Sequence, residues 1–258
     1  MDFLNVLNAP MPVLEGIARA AMSKNDKPYG GQLYVSHEPY YSTAYFLLAT
    51  NGIVTANTSR KLFQAKVGEA SQQGSNWTFT QADTNNTVGA QFPEGQCFIC
   101  TAIGFDVALY AATTGVRYTA ALTEQMILTP NDMLQIQTAV SYTFSEEGDR
   151  SRILGMVGDF PSGTGVAGTG IAAMNNPNSA AASAVAAVPV YGLSQNGGPL
   201  TPVTKLAVPM ILQPLRNYQH SLNFERAINS VTVPSGGDIA ASYIGIRAQL
   251  FGLRYNAP

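Results

Sequence analysis

Charge is what this sequence has least of. Lys, Arg, Asp and Glu make up 12% of its 258 residues, about half of the ~25% usual for soluble domains. The formal net charge is -2 and no basic block occurs. That argues against a dedicated nucleic-acid grip, which concentrates Lys and Arg against phosphate. Cysteine and histidine are scarce as well, with two of each. Long apolar runs are missing. No stretch approaches the ~18 consecutive apolar residues of a membrane-crossing helix, and the longest small-apolar run, "AAASAVAAVPV", is broken by Pro189. The opening "MDFLNVLNAPMPVLEG" has neither a basic n-region nor a continuous apolar h-region, so no signal peptide is expected. Asn76-Trp77-Thr78 therefore carries little weight as a glycosylation site.

What is present is Gly (24), Pro (15) and much Asn, Thr and Ala, with 46% hydrophobic residues. That content argues against disorder and is enough to bury the core of one large domain or two small ones. Residues 12–24 have helical spacing. Pro12 suits a first helical position, and Val13, Leu14, Ile17, Ala18 and Ala21 line one side. Such a helix would pack on the body of the protein, or its apolar side would touch a membrane or a neighbouring subunit. After it the pattern is β. Tyr45 to Ala49 and Gly52 to Asn57 flank Asn51-Gly52, a strong hairpin signal. "KLFQAKVG" and "NWTFTQAD" are weaker strand candidates.

The stretch from Gly95 to Leu109 alternates. Cys97, Ile99, Thr101, Ile103, Phe105, Val107 and Leu109 fall on one face, read as the core face, with Phe98, Cys100, Ala102 and Asp106 opposite. "DMLQIQTAVSYTF" alternates too, placing Leu134, Ile136, Val140, Tyr142 and Phe144 together. Further strands are predicted at Arg152–Phe160, Ala187–Tyr191, Thr204–Leu212 and His220–Ala227. In the last strand, "YIGIRAQLFGLRY", Ile244, Ile246, Ala248 and Leu250 share a face opposite Arg247 and Gln249. Long strands broken by turn residues, with almost no helix, predict an all-β sandwich or barrel. Residues 161–203 stand apart: this segment has no charged residue and is too long for a turn, a length that usually marks functional or disordered chain.

The chemical motifs are weak. Cys97-x-x-Cys100 on a strand points its two thiols to opposite faces. It then cannot share a metal or close an easy disulfide, and zinc would need two more ligands. The scarcity of cysteine fits a reducing compartment. Gly163-x-Gly165-x-x-Gly168 matches a dinucleotide-loop pattern, but Asn175-Asn176-Pro177 breaks the helix it requires, and no acid follows until Glu225. His37 and His220 are the only candidate bases, and His220 beside Ser221 is adjacency without triad geometry. Glu146, Glu147 and Asp149 lie in "SEEGDRSR", read as a charged hairpin loop. Gln81 to Gly89, "QADTNNTVG", could offer oxygens to calcium but is explained by Asx-type turns. Trp77 and the tyrosines could line a sugar-binding surface; packing is their commoner use. No catalytic, cofactor-binding or metal-ligating residue is assigned, and no cofactor is expected.

From Gln96 onward the order "QCFICTAIGFDVAL", "DMLQIQTAVSYTF", "VPMILQPLRNYQHSLNFERA" and "YIGIRAQLFGLRYN" resembles the jelly-roll coat proteins of tailless icosahedral bacteriophages. The resemblance spans roughly the C-terminal 160 residues. It rests on the Pro209-x-x-Leu212-x-Pro214 segment before an apolar strand and on a final strand carrying Leu250-Phe-Gly-Leu-Arg254. It implies a non-enzymatic capsid protein, found in the virion and made in the host cytoplasm. Such a protein self-assembles through homotrimers into an icosahedral shell, sometimes over an internal lipid membrane. Its partners would be copies of itself, other virion proteins and, through the N-terminal arm, lipid or genome. The expected layout is an arm with a short helix at 1–30, a strand-rich region at 31–94 and a jelly roll at 95–258 with the uncharged loop 161–203. A compact double jelly roll is the alternative layout. The alternative function is a phage spike or a receptor- or carbohydrate-binding jelly-roll module.

Overall fold

The longest pairing among the described residues joins Gln96–Ala111 to Ser242–Asn256. In the computed structural model these two strands run antiparallel from Ser242 opposite Ala111 to Asn256 opposite Gln96. The structure describes residues 11–23, 27–48, 53–70, 77–111, 130–147, 151–160, 171–172, 190–191, 204–228 and 242–258. Among the described residues the fold is all-β, built from antiparallel sheets with two α-helices.

In chain order the strands are β1 (Tyr34–Ser36), β2 (Tyr40–Leu47), β3 (Ser59–Leu62), β4 (Gln96–Ala111), β5 (Val140–Glu146), β6 (Arg152–Met156), β7 (Ile171–Ala172), β8 (Val190–Tyr191), β9 (Thr204–Leu212), β10 (Tyr218–Phe224) and β11 (Ser242–Asn256). Helix α1 spans Met11–Ala21 and α2 spans Pro130–Ala139. One sheet runs β2-β11-β4-β9, with β1 following β2 along the same edge of β11. The other runs β3-β10-β5-β6, and β7 pairs β8 separately. The strands of region 31–94 thus enter both sheets: β1 and β2 border β11, and β3 borders β10. A boundary at 94–95 separates no sheet from another.

The two large sheets bury their facing sides against each other. Phe46 of β2 meets Phe224 of β10 edge-on at 4.7 Å, and Phe105 of β4 meets Tyr142 of β5 at 5.0 Å. Ile244, Ile246, Ala248 and Leu250 all enter this core, as their alternation predicts. The two isoleucines and the leucine each contribute roughly 1.5–3 kcal/mol by leaving water.

A bulge in β4 overturns the simple alternation expected there. Cys100 pairs Gly252 and Ala102 pairs Phe251, leaving Thr101 as an extra residue. One extra residue in a strand of period two reverses which face each side chain takes. Beyond the bulge Ile103, Phe105, Val107 and Leu109 point into the main core, but before it Phe98 and Cys100 do so. Cys97 and Ile99 therefore point outward, into a second apolar cluster with Tyr255.

That outward patch explains α1. Leu14, Ala18 and Met22 cover Cys97, Ile99 and Tyr255. Arg19 pins the helix by donating to the carbonyls of Tyr29 (2.8 Å) and Gly31 (2.7 Å) while pairing with Glu15. Of the two roles open to this helix in the sequence, packing on the body is the one its apolar side fulfils.

Other expectations need correction. The segment 132–139 is not strand but the body of α2. Pro130 supplies a φ suited to a first helical turn, and Asp132, Ile136 and Ala139 bury at helical spacing while Leu134 is 58% exposed. The Leu134/Ile136 alternation was a coincidence of a short window. Of the flanks of Asn51-Gly52, β2 pairs β11 and Val54 bridges Ile228. Residues 49–52 lie outside the described residues. The strand expected over Arg152–Phe160 stops at Met156, where Asp159 accepts the Met156 N–H at 2.8 Å and a 3-10 turn follows.

Gly252 lies where the ladder is tightest. A Cβ there would sit 1.9 Å from the Ile99 carbonyl oxygen, which is backbone and cannot rotate away. At Gly245 the obstacle is the movable ring of Tyr110. Gly252→Ala is expected to cost on the order of 3 kcal/mol and Gly245→Ala about 1 kcal/mol. Urea unfolding of both variants checks this, and equal midpoints would contradict the assigned register.

Candidate functional site

The positions that carry chemistry in the sequence are dispersed by the fold and absorbed into structure. Cys97 and Cys100 are free and fully buried on opposite faces of β4. Burial pushes both thiols up to about 12, so neither is a thiolate at neutral pH. Cys100 instead donates weakly to the Ala102 carbonyl at 3.3 Å.

His220 is buried in the core, and Ser221 beside it faces away on the alternate side of β10. The imidazole Nδ1 shares a hydrogen bond with the Tyr142 hydroxyl at 2.5 Å. Burial lowers its pKa to about 3, so it is neutral and has no nucleophile at hand. Glu146 pairs with Arg216 at 3.5 Å, and Glu147 accepts from the Asn217 backbone at 3.4 Å. The "SEEGDRSR" segment joins β5 to β6 as a hairpin; residues 148–150 lie outside the described residues. Glu225 accepts from Ser141 and Asn223, which holds its carboxyl below the usual range.

The calcium candidate is spent on the backbone. Residues 83–86 run along the free edge of β2. Asn85 Oδ1 accepts from Tyr41 N at 2.9 Å, Asn85 Nδ2 donates to Pro39 at 2.7 Å, and Thr43 donates to the Asp83 carbonyl at 3.0 Å. The Asp83 carboxylate takes Thr80 N (2.8 Å) and Thr80 Oγ1 (3.0 Å) on one oxygen and the Tyr45 hydroxyl on the other. An edge strand's unpaired groups are thereby capped. Among the described residues no group of three or more His, Cys, Asp or Glu is placed to hold a metal ion.

Trp77 belongs to an aromatic cluster on the outer side of the first sheet. Its ring meets Tyr45 at 5.2 Å and Tyr243 at 5.1 Å, both edge-on, and Tyr110 meets Tyr45 at 5.0 Å. The rings spend their faces on one another, as a packing role requires. The G-x-G-x-x-G segment lies outside the described residues.

Two surface features remain. One is an open cleft of about 740 Å³ between the end of α1, the Gln213–Arg216 turn and Ala257–Pro258, with no histidine or cysteine in its lining. The other is a flank of the sandwich. Facing contacts run from β2 over β10 to β4 over β5, so β6 and β9 bound the same side. There Ile153 is 70% exposed, Val208 58%, and Leu134 of α2 lies nearby. Sequence alternation could not find this flank, because edge position is a property of the sheet and not of the strand.

The thiols supply a test of the α1 contact. Ellman's reagent is expected to label neither cysteine in the native chain. It should label Cys97 alone after deletion of residues 1–23, because α1 covers that thiol and the inter-sheet core covers Cys100. Labelling of the native protein at the rate of a free thiol would refute the placement of both.

No protein-family model, curated protein or solved structure matches this chain.

Proposed function

We propose that this is a structural coat protein that folds as a single jelly roll and assembles with copies of itself, through trimers, into a closed virion shell. Counting only β2, β3, β4, β5, β6, β9, β10 and β11 as strands one to eight, the sheets read 1-8-3-6 and 2-7-4-5. That alternation between sheets supports reading the sandwich as the double Greek key of a jelly roll, as one roll over 40–256 rather than a double roll, with β2 and β3 as its first two strands.

Fold alone assigns no function. The observation that carries the functional reading is where charge is missing. Three of the connections, 112–129, 161–203 and 229–241, hold only three charged residues, Arg117, Glu124 and Asp238. Their attachment points share one end of the sandwich. Ala111 is opposite Ser242, Phe224 opposite Val140, and Met156 opposite Ser141. The other end carries Glu38 with Arg254 and Glu146 with Arg216. Around a symmetry axis each residue meets its own copy, so charges of one sign would repel there. Connections with little charge suit self-association, because interface cores are depleted in charge. The uncharged 161–203 segment, mostly outside the described residues, is the proposed subunit contact. The apolar side of α1 is occupied by the sheet, so a lipid or genome contact by the arm falls to residues 1–10 or to the helix's polar side.

Light scattering of the purified protein, with negative-stain microscopy of the same sample, tests the reading. Trimers or closed shells are expected. A monodisperse monomer at high concentration would overturn it and favour the spike or receptor-binding alternative.

A further inference from the structure

The core between the sheets holds one group that an apolar core does not need. His220 sits at the middle of β10, fully buried, among the rings of Phe63 (5.0 Å), Phe144 (4.8 Å), Tyr218 (5.6 Å) and Tyr142 (5.8 Å). Nδ1 is engaged by Tyr142, but Nε2 has no hydrogen-bond partner. A buried polar atom left unpaired costs stability that a leucine would not.

The element over this ring is poised to move. Phe63 closes the cage with φ at 58°, the left-handed region that bulky residues rarely occupy. Three hydrogen bonds hold it there: its N–H donates to Ser42 Oγ (3.0 Å), and its carbonyl accepts from Asn86 Nδ2 (2.6 Å) and Ala90 N (2.8 Å). The strand leading to it, β3, is four residues long, lies at the sheet edge and pairs with β10 through Leu62 opposite His220. Lifting β3 and Phe63 would release the backbone strain and open a path for water to the imidazole.

We infer that His220 is an acid-operated latch: when the ring takes a proton, β3 and Phe63 lift from β10 while the β4–β11 ladder stays closed. The titratable and charged groups on the elements packed around it are Tyr142 and Glu146 of β5, Tyr218 of β10, Arg60 and Lys61 of β3, and, from the facing sheet, Tyr40, Cys100 and Arg254. Glu146 is engaged by Arg216 at the end of the sheet. Burial, not a neighbouring charge, keeps the ring neutral when closed. The direction follows. The closed form refuses the proton and the open form accepts it at about 6.5. Closure is therefore undisturbed above that pH and weakens as pH falls below it. By pH 5 the open form gains about 30-fold. This inference does not rest on the coat-protein reading.

Hydrogen exchange of the full-length protein at pH 7.5 and pH 5.0, corrected for intrinsic rates, tests it. Peptides covering 59–66 are expected to lose about 30-fold in protection, those covering 103–109 are not, and His220→Gln should abolish the difference. The chain has only two histidines, so imidazole NMR, with His37→Gln for assignment, reads His220 directly even if the His220 variant fails to fold. Gain of the His220 proton in step with lost protection at 59–66 supports the latch. An imidazole that titrates near 6.5 while 59–66 stays protected, or an equal loss in His220→Gln, refutes it.

Discussion

The ladder between β4 and β11 positions everything else. It pairs every residue of β11 from Ser242 to Asn256, well beyond the usual strand of five or six residues. Strands this long bring apolar side chains to the outer face of the sheet as well as to the core, and that face needs cover of its own. The bulge at Thr101 sets that need. It turns Cys97 and Ile99 outward beside Tyr255, creating an apolar patch that α1 must cover. The same crossing point demands Gly252, because only a residue without Cβ tolerates the Ile99 carbonyl there. Bulge, glycine and helix are one device with three parts.

Polar groups are handled by economy. With so little charge available, the chain satisfies buried groups with amides and hydroxyls. Tyr40 donates to Asn86 Oδ1 at 2.7 Å and shares a bond with Tyr218 at 2.9 Å; burial raises both phenols, so both stay neutral. Asn85 and Asn86 then cap an edge strand and hold Phe63. The asparagines and threonines that look like loop filler in the sequence are the fasteners between β2, β3 and the segment beside them.

Legibility in the sequence followed how local the cause was. The inward face of β11 could be read because its alternation is unbroken between Ile244 and Leu250, and β9 was bounded correctly at Thr204 and Leu212. The opposite placement of Cys97 and Cys100 followed from strand geometry alone. The parity of β4 could not be read, since a bulge leaves no mark in the alternation of a chain that is apolar on both faces. Helix α2 was missed because Leu134, Ile136 and Val140 mimic a period of two across a helix–strand junction. Asn51-Gly52 misled because hairpin chemistry is local while the partner of β2 is two hundred residues away, on β11. The surroundings of His220 lay beyond reach for the same reason: they gather Phe63, Tyr142, Phe144 and Tyr218 from distant parts of the chain.

The two sheets are unequal partners, and that inequality matters more than the fold name. The first is built on long strands and has a helix across its back. The second begins with the four-residue β3 and ends with β6, whose outer side bears exposed Ile153. Local opening follows the least-buried, least-paired elements, so the second sheet is where this sandwich yields. An assembly built from such subunits could keep its long-strand sheet intact while its short-strand sheet responds to conditions. Placing the buried imidazole of His220 beneath the shortest edge strand of the second sheet puts it where yielding costs least.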